Sequence, residues 1–173
     1  MRIFFPFFFF MICALKGHSQ LSYTISTDAK TGWLMFKGLI DKQSLINEPS
    51  FYWYANTQAQ FQPDSTFIQA MLLHKDSTQF VLFGGTWCDD TQSILPRFFK
   101  LQELAGVADS SISFFAVDRN KHSISNVPQA FGITHVPTIV LMRNGKELGR
   151  LVEYGPKGDW NAAFLDLLRA TRK

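Results

Sequence analysis

Two short apolar runs in the chain show the pattern of β-strands that are buried on both faces. Residues 80–83 form the first run, which ends at Gly84 and Gly85, and residues 112–117 form the second. Between the runs, apolar residues recur at the spacing of one helical face, and Pro96 is expected to bend that helix. The positions expected to face inward are Ile94, Leu95, Phe98, Phe99, Leu101 and Leu104. This region therefore predicts a strand, a helix and a second strand.

The C-terminal third of the chain predicts a helix, a hairpin and a final helix. Residues 123–131 have the pattern of a short helix. Residues 138–142 and 147–152 then flank Asn144-Gly145, and Asn-Gly between two apolar runs is the strongest short signal for a β-hairpin. Asp159 is a favourable N-cap for the last helix, whose inward positions are Phe164, Leu165 and Leu168.

The region before residue 63 is less regular. Residues 33–40 are largely apolar and predict a strand, which is followed by Asp41 as a helix start. Pro49 predicts a second short helix, for which the expected anchors are Phe51, Tyr52 and Tyr54. Asp64 begins a third helix, whose expected apolar face carries Phe67, Ile68, Met71 and Leu72.

The order of these elements predicts an α/β protein. A βαβ half followed by a ββα half gives a central mixed sheet with helices on both faces, which is a three-layer α/β/α arrangement. We expect one domain over residues 63–173, and an N-terminal extension of helix and strand over residues 20–62 packed on it.

The first nineteen residues carry the pattern of a targeting segment. Arg2 supplies a positive charge, residues 3–15 carry none, and Gly17 and Ser19 are small residues placed as before a cleavage site. The apolar run is too short to span a bilayer, which takes about 20 residues. We therefore expect a signal peptide over residues 1–19 and export, most simply to the periplasm, with no stable membrane span afterwards.

Lipid anchoring and nucleic-acid binding are both disfavoured. A lipoprotein would use Cys13 as its acylated residue, but Ile12 stands where such a signal takes a small residue. Without Arg2 and Lys16, fifteen of the 17 basic residues remain against 14 acidic ones, and they are dispersed. The histidines share no ligand spacing, so neither a metal nor another cofactor is expected.

Removal of the leader would leave Cys88 as the one cysteine, within the sequence FGGTWCDDT at residues 83–91. This segment resembles the active-site strand, turn and helix of the thioredoxin family. Residues 117–120 resemble the end of that family's next strand, and residues 131–138, FGITHVPT, resemble its cis-proline segment. Three segments in register make the resemblance specific. The Gly-Gly-Thr-Trp-Cys-x-Asp motif resembles the corresponding motif of exported thioredoxin-like proteins of Bacteroidetes-type bacteria.

The resemblance implies the thioredoxin fold and assigns roles to site residues. Cys88 takes the nucleophile position at a helix N-terminus, where unpaired N–H groups favour a thiolate. Trp87 lies beside it as a packing lid. Val136 and a cis-Pro137 would bind an extended substrate next to the sulfur. The implied partners are disulfide-containing or thiol substrate proteins and an external reducing thiol.

Departures from the family pattern concern the redox partner and the charges. Thr91 stands where the family has its second cysteine, so a mixed disulfide at Cys88 has no internal thiol to resolve it, although Thr91 offers a hydroxyl to the thiolate. The family's buried aspartate and lysine fall on Leu82 and Phe114.

Asp89 and Asp90 act in two opposite ways. Both complement the helix dipole, but their negative charge also disfavours a thiolate, and the pattern leaves the sign of the net effect open.

Two functions remain compatible with this sequence. One is monothiol thiol–disulfide exchange through Cys88, which would contribute to redox homeostasis. In this function, an external thiol resolves the mixed disulfide that Cys88 forms with its substrate. The other is a non-catalytic binding or scaffold module that kept the fold and lost the redox pair, as Leu82, Thr91 and Phe114 suggest. The sequence does not specify the substrate, the direction of exchange or the oligomeric state.

Overall fold

Six strands form one mixed sheet in the computed structural model, which describes residues 22–172. In chain order the strands are β1 (Tyr23–Thr27), β2 (Leu34–Ile40), β3 (Gln79–Gly84), β4 (Ile112–Ala116), β5 (Thr138–Arg143) and β6 (Lys146–Val152). Their order across the sheet is β1-β2-β4-β3-β5-β6. Only β3 and β4 pair in parallel. The predicted signal peptide and Cys13 lie outside the described residues.

Three of the α-helices in residues 22–172 begin at aspartate capping residues. The helices are α1 (Lys42–Ile46), α2 (Trp53–Gln60), α3 (Ser65–Leu72), α4 (Asp89–Leu104), α5 (Val127–Ala130) and α6 (Trp160–Ala170), with a 3₁₀ turn at Pro49–Phe51. The carboxylates of Asp41 and Asp64 accept from backbone N–H groups of α1 and α3 at 2.8 Å, and Asp159 does so for α6 at 3.2 Å. The three predicted helix starts are therefore confirmed.

Alternate side chains of the central strands pack on opposite faces of the sheet. Phe80 and Leu82 of β3 join the large core beneath α1 to α4 and α6, which we call the first face. Phe83 joins a smaller cluster on the second face, which α5 covers together with the loops around it. The predicted three-layer α/β/α fold is confirmed, with unequal outer layers.

Some local predictions are wrong. Leu104 is half exposed, whereas Gln102 is buried because its side-chain amide donates to the carbonyl of Val107 and to Asp109. Tyr52 is exposed rather than an anchor. The helix expected over residues 123–131 is confined to α5, since the Ser and Asn residues before it favour turns over helix.

The N-terminal extension is part of the sheet. β1, which the sequence did not predict, forms an antiparallel hairpin with β2, and β2 pairs with β4 from Gly38↔Ala116 to Ile40↔Phe114. Gly38 has a φ of 134°, and a Cβ there would lie 2.2 Å from the carbonyl oxygen of Ser22. Only glycine fits at this position of β2, because its φ is positive and the backbone of Ser22 lies so close. Residues 22–40 thereby reach the end of β4, next to the site.

Candidate functional site

Cys88 is the N-cap residue of α4, at the end of the turn that follows β3. Its backbone N–H donates to the carbonyl of Gly85 at 2.9 Å, and its carbonyl accepts from Gln92 at 3.0 Å. The side chain is partly exposed, and its thiol donates to the carbonyl of Val136 at 3.4 Å. The sulfur therefore lies between a helix N-terminus and the proline segment, as the resemblance implied.

The turn before Cys88 is held by the N-terminal extension. The buried hydroxyl of Thr86 donates to the carbonyl of Leu34 at 2.9 Å and accepts from the N–H of Phe36 at 3.1 Å. From the other side, the amide of Gln92 donates to the carbonyl of Thr86 at 2.8 Å. Strand β2 and helix α4 thus fix the turn between them.

Thr91, at the position of the family's second cysteine, is buried. Its hydroxyl oxygen accepts from the N–H of Gly85 at 3.2 Å. Within residues 22–172 no hydrogen bond joins Thr91 to Cys88, and Cys88 is the one cysteine of that range. The Thr91 hydroxyl therefore stabilises the turn between β3 and Cys88 in this structure.

The proline segment faces the thiol with its backbone. The Val136–Pro137 peptide bond is cis, and both residues are buried. In the described part of the chain, the Val136 backbone bonds only to the Cys88 thiol. The carbonyl of Pro137 accepts from the N–H of Glu153 at 2.8 Å. The N–H of Val136 therefore has no hydrogen-bond partner among residues 22–172, and its carbonyl accepts from the thiol.

Trp87 is fixed through its indole. Its Nε1 donates to the carbonyl of Val117 at 2.8 Å, at the end of β4. The guanidinium carbon of Arg119 lies 4.6 Å from the centroid of the Trp87 ring, and the ammonium of Lys121 lies 5.9 Å from it. Both distances are within cation–π range. Two cationic side chains therefore lie near the indole ring of the residue that directly precedes Cys88.

Arg119 is in turn held by Asp28, and sequence reasoning identified neither residue. Nε of Arg119 lies 2.6 Å from one carboxylate oxygen of Asp28, and Nη2 lies 2.9 Å from the other. These hydrogen bonds hold the pKa of the buried Asp28 well below its usual range. Nothing in the pattern signals a pair that is 91 residues apart.

A second ion pair stabilises the loop after β4. Lys37 of β2 donates to Asp118 at 2.8 Å, while the other oxygen of Asp118 accepts from the N–H groups of Asn120 and His122, each at 2.9 Å. Burial opposes ionisation of Asp118, but these hydrogen bonds prevail and lower its pKa. The loop that carries Arg119 is thereby fixed at both ends.

The two acidic residues of the motif lie in the first turn of α4. Asp89 is exposed and Asp90 is half-buried. In the described residues, neither carboxylate takes part in an ion pair or a side-chain hydrogen bond. Asp90 therefore lies two residues after Cys88 in the first turn of α4, and its charge has no partner among residues 22–172.

The positions of the family's charged core pair form an apolar contact. Leu82 and Phe114 are register partners on the parallel strands β3 and β4, and both are almost completely buried on the first face. A single carboxylate or ammonium placed there alone would be strongly unfavourable. The two replacements are therefore consistent with each other.

Neither a metal site nor a membrane-spanning helix is evident in residues 22–172. No three His, Cys, Asp or Glu side chains there are grouped as metal ligands would be. None of the helices in this range has the length and apolar character needed to cross a bilayer.

The amino-acid sequence is similar to those of known thioredoxins. Thioredoxin of Alicyclobacillus acidocaldarius subsp. acidocaldarius is 28% identical over 106 residues, which are 61% of this chain and 94% of that protein. Thioredoxin-1 of Saccharomyces cerevisiae is 31% identical over 97 residues, 56% of this chain and 86% of that protein.

A solved structure of a Pseudomonas aeruginosa protein of unknown function has the same fold. It covers 76% of this chain and 86% of its own, with a TM-score of 0.51 and 17% identity. The sequence model of the thioredoxin family matches residues 58–164, which is more than half of the chain. This chain belongs to the thioredoxin family.

Proposed function

We propose that this protein carries out thiol–disulfide exchange through the single thiol of Cys88. The observation that supports this most directly is the thiol itself, partly exposed at the N-terminus of α4 and 3.4 Å from the carbonyl of Val136, in a thioredoxin-family fold. A helix N-terminus favours the thiolate, which is the attacking species in exchange.

The reaction consists of two balanced exchanges. The Cys88 thiolate attacks one sulfur of a substrate disulfide, so that a Cys88–substrate disulfide forms, the substrate disulfide breaks and its other sulfur leaves as a thiolate that takes up a proton. The thiolate of an external thiol then attacks the substrate sulfur of the mixed disulfide. Cys88 is released as a thiolate, and the substrate is left disulfide-bonded to that external thiol.

A substrate polypeptide would bind in an extended conformation across the proline segment. The N–H of Val136, which has no partner among residues 22–172, and its carbonyl offer main-chain hydrogen bonds of the kind found in strand addition. The thiol would give up its hydrogen bond to that carbonyl when it ionises. Main-chain recognition tolerates many side chains, which suits disulfide-containing proteins as a substrate class.

Thr91 determines how the mixed disulfide is released. A threonine cannot attack the Cys88–substrate bond, so the intermediate persists until an outside thiol arrives. A single thiol suits isomerisation or removal of a small thiol from a protein better than net oxidation. The leader-like residues 1–19 support a location outside the cytoplasm, where disulfides are abundant.

The second candidate is a non-catalytic binding module, and the apolar Leu82–Phe114 contact favours it. This contact replaces the buried charged pair that the resemblance associates with catalysis in the family. Such a module would bind partners without forming a covalent bond at Cys88.

Trapping of mixed disulfides distinguishes the two functions. The chain from Gln20 is incubated with glutathione disulfide or a disulfide-bonded peptide, and adducts are measured by intact mass together with the released thiol. We expect one adduct per chain, one equivalent of released thiol, and neither with Cys88→Ser. The variant Thr91→Cys supplies a resolving thiol and should shorten the lifetime of the adduct by about tenfold or more. A folded wild-type chain that forms no adduct would contradict exchange and leave the binding module.

A further inference from the structure

Arg119 joins the N-terminal extension to the redox motif. Its planar side chain is bonded through two N–H groups to Asp28, which lies outside the region matched by the family, and it lies over the ring of Trp87. Trp87 directly precedes the thiol residue. Two contacts and one peptide bond thus connect Asp28, the residue after β1, to Cys88.

The carboxylate of Asp28 is oriented independently of Arg119. One of its oxygens accepts from the N–H and the hydroxyl of Thr31, each at 2.8 Å, and from the N–H of Lys30 at 3.1 Å. The turn is closed by the N–H of Asp28, which donates to the carbonyl of Trp33 at 2.8 Å. Because the acceptor is fixed by its own turn, the bidentate bond determines the plane of the guanidinium.

The guanidinium of Arg119 lies over the ring of Trp87, which directly precedes Cys88 in the chain. The hydrogen bonds from Arg119 to Asp28 raise the pKa of Arg119, burial opposes this, and the negative charges of Asp28, Cys88 and Asp89 raise it further. With Leu82 and Phe114 apolar, no charged pair lies in the core beneath the motif. Arg119 and Lys121, which lie over the Trp87 ring, carry the opposite charge to Asp89 and Asp90 in the first turn of α4.

We propose that Arg119, held by Asp28, is a positioning residue for Cys88: it fixes the ring of Trp87, the residue before Cys88, and favours the thiolate. The extension thereby contributes to the chemistry of a site that otherwise lies within the family-matched region. This inference rests on the proposed function for the use made of the thiolate, but ionisation of the thiol is measured without any substrate.

The test compares alkylation rates of Cys88 by iodoacetamide at pH 7 and pH 10. An ordinary thiol ionises near pH 8.5, so at pH 10 it is mostly ionised in every variant. The ratio of the two rates therefore reports how far the thiolate is favoured at pH 7 and cancels differences in access. The chain from Gln20 contains no other cysteine.

The double variant Asp28→Asn/Arg119→Gln removes both charges and keeps groups that can hydrogen-bond. We expect its rate ratio to fall about threefold or more, the size of one screened charge interaction near the surface. Glu147→Gln/Arg150→Gln is the matched control, since it removes another bidentate pair, bonded at 2.6 Å on β6, and should leave the ratio unchanged. Arg119→Lys keeps the charge without the planar fork and should give an intermediate ratio.

An unchanged ratio in the double variant, with a native circular dichroism spectrum, would overturn the proposal, and so would an equal fall in the control. If the double variant does not fold, Arg119→Lys decides alone, and a wild-type ratio there overturns the proposal. Failure of the wild-type chain to form mixed disulfides would contradict the proposed function and would not alter the ratio, so the two failures are distinguishable.

Discussion

The first and second faces of the sheet differ in what they bury. On the first face, aromatic rings from strands and helices form one continuous core, in which Phe98 lies with its ring centroid 5.5 Å from those of Phe80 and Phe99. On the second face the buried cluster is small, and Trp87 and Cys88 lie at its edge, partly exposed. Apolar burial is the main favourable term in folding. The first face therefore contributes most of the stability, and the thiol lies on the second face, where the buried cluster is small.

Truncation of one ring on each face should give the largest contrast. Phe98→Ala removes a fully buried ring of α4 from the first face and is expected to cost about 3–5 kcal/mol. Phe131→Ala removes a partly exposed ring that contacts Phe83 on the second face, and should cost less than half as much. Urea unfolding followed by circular dichroism measures both. Equal losses would show that the second face contributes more than its burial indicates.

A change at Thr86 should affect stability and chemistry together, because its hydroxyl bonds β2 to the turn before the thiol. Thr86→Val leaves the carbonyl of Leu34 and the N–H of Phe36 without that partner, at an expected cost of about 1–3 kcal/mol. The rate of mixed-disulfide formation should fall as well, since the turn positions Cys88. Thr24→Val, which alters an exposed hydroxyl of β1, is the control and should change neither quantity. An unaffected exchange rate in a destabilised Thr86→Val would show that the turn does not depend on β2.

The smallest expected effect is a dependence of stability on pH, which arises from a histidine on the first face. His74 is buried between α3 and α6: its Nε2 donates to the carbonyl of Leu168 at 2.8 Å, and Nδ1 accepts from the hydroxyl of Thr78 at 2.9 Å. Burial lowers the pKa of His74 below its usual value. The unfolded chain therefore binds the proton first, and stability should fall as pH drops below about 6.5.

Unfolding midpoints in urea at pH 7.5 and 5.5 measure this pH dependence. The lowered pKa values of Asp28 and Asp118 imply stability that is present above about pH 4 and lost below it, so both lie outside this window. His74→Gln should reduce the difference between the two midpoints. If His74→Gln keeps the full wild-type difference between the two midpoints, other groups cause the pH dependence of stability.

The sequence predicted those elements whose signals are local. The apolar run at residues 80–83 became β3, the Asn144-Gly145 pair became the turn of the β5–β6 hairpin, and three aspartates capped the expected helices. Strand β1 was missed because Ile25 is its one large aliphatic side chain and is itself exposed. That strand exists through pairing with β2, which no pattern within five residues reveals.

The same distinction applies to the site. Cys88, Trp87 and the Val136–Pro137 segment were predicted as site residues because the resemblance places them in short contiguous motifs. Asp28 and Arg119 were missed, since each is an ordinary charged residue until the fold brings them together. A hydrogen bond from Thr91 to the sulfur, which the sequence allows, depends on side-chain orientation. Here the threonine oxygen accepts from the N–H of Gly85 instead.

The bonds between Thr86 and β2 also have a consequence for the order of folding. They connect residues 50 and 52 positions apart, whereas the β5–β6 hairpin closes over two residues. Closing a long loop costs more entropy than closing a short one, so contacts of this kind are made late. The turn that carries the thiol is therefore completed only when the N-terminal strands dock. During folding, Cys88 would pass through a period in which it is accessible but not yet held in its site.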